Sequence, residues 1–86
     1  MDDASIGVEA ETQLFDLQAT ERKALLKKRD ARLDRMILLV ADAESNRDAL
    51  RLHRETLRGS FPLDTRAVLA ALSRGLVPAA DGIVIL

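Results

Sequence analysis

Polar and apolar positions alternate from Ile6 to Thr12 in "IGVEAET". A period of two puts Val8 and Ala10 on one face and Glu9 and Glu11 on the other, so residues 6–12 are predicted as a strand. From 14 to 33 the period changes. Phe15, Ala19, Leu26 and Leu33 form a ragged apolar stripe, with Leu17, Ala24 and Leu25 beside it. The other faces carry Glu21, Arg22, Lys23, Lys27, Lys28, Arg29, Asp30 and Arg32, which is the pattern of an amphipathic helix with a charged outer side. "RMILLVA" (35–41) is short and rich in branched residues, and is predicted as a strand buried on both faces. Strand, helix and strand in this order make a βαβ unit, with a parallel pair and a right-handed crossover.

A second helix is predicted over 42–59, where Ser45 and Asp48 form a variant of the capping box and Gly59 suits the end. A third is predicted over 61–75. Asp64 can cap its start, Val68, Leu69 and Leu72 form its apolar stripe, and Gly75 ends it. Pro78 and the "ADG" turn break the chain before a last apolar strand, "GIVIL" (82–86). The expected fold is a small α/β domain spanning 1–86, with a three-stranded sheet in the order β-α-β-α-α-β. No connection is long enough to separate domains.

Composition narrows the function. Apolar residues make up 48% of the 86 positions, too many for a disordered chain. Aromatics are limited to Phe15 and Phe61, so there is no platform on which unpaired bases could stack. The net charge of −1 supplies no global field toward nucleic acid or acidic membranes. Without cysteine there is neither a disulfide framework nor a thiolate metal site. Asp2 and Asp3 stand where a signal peptide would be basic, and "MILLVA" (36–41) is too short to span a bilayer. The expected setting is a reducing cytoplasm.

Several short stretches together resemble a known family. Glu9-Ala10-Glu11-Thr12-Gln13-Leu14 is similar to a strand reading E-V-K-T-E-L, and Asp16-Leu17-Gln18 to T-D-V-Q at a helix start. Met36 to Val40 is similar to R-L-L-V-L, "DAESNR" (42–47) to D-T-R-x-N-R, and "GIVIL" to a short terminal strand. In this order and spacing they resemble the second half of the restriction-endonuclease-like domain, of the PD-(D/E)XK superfamily, found in certain bacterial helix-turn-helix regulators. The resemblance runs from about residue 6 to 86. It implies a truncated restriction-endonuclease-like core and a DNA-associated bacterial protein.

The resemblance also implies a Mg²⁺ site, in which an Asp and a Glu hold the ion and a lysine orients or deprotonates the attacking water. Glu9 falls on the metal-binding glutamate. The lysine position is Glu11, about 7 Å along the same face of the strand. The upstream Asp would come from an earlier strand, and only five residues precede Ile6; Asp2 and Asp3 are too close to supply it. The chain thus looks like the C-terminal half of such a protein. Glu9, Glu11 and Gln18 are candidates for a vestigial site, with Gln18 able to offer a neutral ligand near the same edge. The alternative for Glu9 and Glu11 is the solvated outer face of an edge strand, where acids discourage pairing.

The balance leans away from an enzyme. The expected function is a non-catalytic accessory or interaction module. The alternatives are a Mg²⁺-dependent nuclease that completes its site with another chain, and a pure dimerisation module. Arg22, Lys23, Lys27 and Lys28 are the candidates for a DNA-backbone face, against the simpler expectation of a solvated helix side. The lone His53 is expected at the surface, with no nucleophile to pair with. The strand 6–12 lacks a neighbour on one side, so a homo-oligomer is expected, through that edge or the apolar faces of the last two helices around Leu50, Leu57, Val68 and Leu72.

Overall fold

Period-two alternation at the start of the chain forms β1 (Ile6–Glu11). In the computed structural model, which describes residues 4–86, this strand pairs in parallel with β2 (Arg35–Val40). Between them runs α1 (Leu17–Asp30), whose first turn is capped by the Asp16 carboxylate accepting from the Ala19 N–H at 3.1 Å. Asp2 and Asp3 lie outside the described residues.

The chain after β2 continues through α2 (Glu44–Leu52), α3 (Arg54–Ser60) and α4 (Thr65–Ser73) to β3 (Gly82–Ile85). β3 pairs in parallel with β2, giving a three-stranded sheet in the order β1-β2-β3. The molecule is a small α/β protein, with four helices among the described residues and a radius of gyration of 12.3 Å, close to the roughly 12 Å expected of a compact chain this long.

Paired residues of parallel strands point to the same side of the sheet, so the register sorts the core into two layers. Met36, Leu38 and Val40 point to one side and pack with Leu17 and Ala24 of α1 and with Leu57 and Phe61. Ile37 and Val84 point to the other, against Val68 of α4. β2 is therefore buried on both faces, as its uninterrupted apolar run predicts.

Several expectations about the helices are corrected. The first helix ends at Asp30 rather than 33, because Arg32 takes the left-handed φ of 54° that turns the chain back toward β2. Phe15 precedes α1 and is 87% exposed, so it is not part of the apolar stripe. The helix predicted over 42–59 is two helices joined at His53, whose backbone leaves the helical range. Ser45 lies inside α2, whose N-cap is Ala43 with no side-chain cap, and Gly59 lies inside α3. The Asp64 cap of α4 forms as predicted, accepting from the Ala67 N–H at 2.9 Å. Leu57 and Val68 are core residues and are not available to an interface. Among the described residues no helix is long and apolar enough to cross a membrane.

Candidate functional site

β1 presents Glu9 and Glu11 to the side covered by α1, not to solvent. Glu9 pairs with Leu38 and Glu11 with Val40, and both of those residues face the α1 layer. Glu9 is only 7% exposed. An unpaired carboxylate buried to this degree would cost several kcal/mol, on the order of the penalty for an isolated ion. Lys23 and Lys27 remove that cost. They stand one turn apart on α1, so their side chains reach the same patch of β1.

The Lys23 ammonium lies 3.1 Å from Glu9 Oε1 and 3.8 Å from Glu11 Oε1. Lys27 Nζ lies 3.3 Å from Glu9 Oε2 and also donates to the Val8 carbonyl at 3.3 Å. Both carboxylate oxygens of Glu9 therefore face ammonium groups. The Lys23 hydrogen bond outweighs partial burial, and with Lys27 it holds the Glu9 carboxyl below the usual carboxylate range. The same bond with Glu9 holds Lys23 protonated to higher pH than an isolated lysine. Glu9 anchors α1 to the sheet at a point where packing alone would leave a charge.

This donor set does not fit Mg²⁺. A hard divalent ion takes several oxygen ligands, and here the one buried carboxylate already faces two positive charges. Among the described residues no three Asp, Glu, His or Cys side chains converge. Gln18 is exposed in the first turn of α1, while the ion pairs of Glu9 and Glu11 are with the two lysines.

Of the candidate DNA-facing residues, three point to acids of the protein itself. Lys23 and Lys27 engage β1, and Lys28 Nζ lies 2.8 Å from Asp81 Oδ2. Arg22 is exposed, beside Leu26 and Arg29. His53 is exposed at the α2–α3 junction.

Two buried polar residues escaped the sequence analysis. Asn46, in α2, is 1% exposed and stitches two loops together: it accepts from the Leu14 N–H at 2.9 Å and donates to the Thr12 and Ala41 carbonyls, both at 3.0 Å. Asp81 accepts from the Met36 N–H at 3.0 Å as well as from Lys28. Their partners lie up to 53 residues away along the chain. No local spacing announces either one.

The sheet face opposite α1 forms the second feature. α4 packs over β3, with Val68 buried against Ile37 and Val84. Toward β1 the cover ends. Ile6, Val8, Ile37, Leu39, Leu69, Leu72, Val84 and Leu86 line a shallow apolar groove there. The chain matches no protein-family model, no curated protein and no solved structure.

Proposed function

We propose that this chain is a non-catalytic interaction module of the restriction-endonuclease-like type, serving a DNA-associated bacterial protein. The observation that carries the proposal is the pairing of both Glu9 oxygens with Lys23 and Lys27. At the position where the resemblance would place a metal ligand, the carboxylate is used to hold a helix on a sheet. Glu11 stands where that resemblance would place a lysine, and it lies 3.8 Å from the same Lys23. The link to DNA rests on the resemblance of the motifs, and the link to binding on the apolar groove between β1 and α4, a surface of the kind that marks contact sites.

The experiment is a carboxyl-detected NMR titration of Glu9 with and without Mg²⁺. The expected result is a Glu9 carboxyl that titrates below the usual carboxylate range and does not move with millimolar Mg²⁺. A Glu9 carboxyl at or above that range would show that the lysines do not hold it as an ion-pair anchor, and one that shifts on adding the ion would show a metal ligand.

A further inference from the structure

The two edges of the sheet are finished differently. On the β3 edge, the Leu63 N–H donates to the Asp81 carbonyl at 3.1 Å and the Ile83 N–H to the Leu63 carbonyl at 3.0 Å. The Ile85 N–H donates to Thr65 Oγ1 at 2.9 Å. The segment before α4 thus closes that edge. On the β1 edge, the Ser5 and Glu11 carbonyls accept from the Arg35 and Ala41 N–H groups, so the odd-numbered residues face β2. The N–H and C=O groups of Ile6, Val8 and Ala10 then point out of the sheet, by the alternation of the strand. Among the described residues, the one side-chain contact to these groups is that of Lys27 with the Val8 carbonyl.

We propose that this edge pairs with the same edge of a second copy of the chain, antiparallel, about a twofold axis through Val8 and normal to the sheet. The proposal rests on the interaction-module reading and names its partner. Three features of β1 make it complementary to itself in this register. The first is backbone matching. Val8 lies opposite the partner's Val8, and Ile6 opposite the partner's Ala10. All are residues with outward groups, and each such pair exchanges both of its N–H···O bonds.

The second is side-chain matching. Ile6, Val8 and Ala10 all point to the face with the apolar groove, where Val8 is 49% exposed, so apolar meets apolar across the seam. On the α1 face Glu9 meets the partner's Gly7, not another acid. A shift of the axis to Glu9 sets the two Glu9 side chains opposite each other and gives up the outward groups of Ile6. A shift to Gly7 gives up those of Ala10. The third is charge. Each copy brings Glu9 and Glu11 together with Lys23 and Lys27 to the seam, so the two copies meet without net charge. Lys27 releases the Val8 carbonyl on pairing and keeps Glu9.

Sedimentation equilibrium on the wild type, on Val8→Lys, on Val8→Glu and on an equimolar mixture of the two variants tests the register. The wild type is expected to reach twice the 9.5 kDa chain mass as concentration rises. Because Val8 meets its own copy, each variant alone places like charges at the axis and stays a monomer, while the mixture pairs Lys with Glu and recovers the doubled mass. A wild type that remains a monomer throughout overturns the proposal. So do variants that each double as readily as the wild type, which places the contact elsewhere and leaves the interaction-module reading standing. Should the variants fail to fold, amide exchange on the wild type decides. The Val8 N–H must become protected as the mass doubles, and a doubled mass with Val8 still exchanging freely overturns the proposal.

Discussion

Glu9 concentrates what a single residue can do in this molecule. Its carboxyl is held below the usual range by Lys23 first and Lys27 second, so at intermediate acidity the unfolded chain binds the proton more readily than the folded one. Stability then rises with pH through that window. The contribution is fully present above the ordinary glutamate value, about 4.3, and is lost as pH falls through the lower folded value. Glu9→Gln is expected to lower the urea midpoint at neutral pH and to flatten its fall toward acid, as read from urea unfolding at several pH values. An acid slope unchanged by the substitution would mean that the lysines do not select the charged form. The period of two identified the face that Glu9 and Glu11 share, but not that α1 covers it. The covering lysines lie 14 and 18 residues from Glu9, and nothing near Glu9 in the chain points to them. Asn46 was illegible for the same reason: its value lies in three backbone groups brought together only by the fold.

At the scale of elements, strands were more legible than helices. β1, β2 and β3 fall within a residue or two of the segments predicted from alternation and apolar runs. The division of 42–59 at His53 carries no glycine or proline at the break, so no breaker residue announces it. Packing between elements also separates two glycines that the sequence leaves equivalent. A Cβ at Gly82 would meet Val68 Cγ2 at 2.4 Å and the Leu63 backbone oxygen at 2.9 Å. A Cβ at Gly7 would meet only the ends of the Leu33 and Met36 side chains. Gly82→Ala is therefore expected to cost about 1–3 kcal/mol by forcing α4 and its leading segment off β3. Gly7→Ala should cost less, since flexible side-chain ends can give way. Chemical denaturation of both variants checks the order, and equal losses would mean that β3 and α4 are less tightly joined than the distances imply.

The whole molecule is a sheet with one face closed by α1, α2 and α3 and the other only half closed by α4. One edge is capped by Leu63 and Thr65, and the other carries the outward backbone of β1. The polar cluster on β1 serves to hold this architecture, and the surface left open is apolar and strand-like. Catalysis and cohesion make opposite demands on Glu9. As a metal ligand it would have to exchange its two lysines for a cation; as an anchor it keeps them. Incubating the purified chain with supercoiled plasmid and Mg²⁺ or Mn²⁺ separates these roles most directly. The plasmid is expected to remain supercoiled with either metal. Metal-dependent nicking by the wild type that disappears in Glu9→Ala would contradict the account.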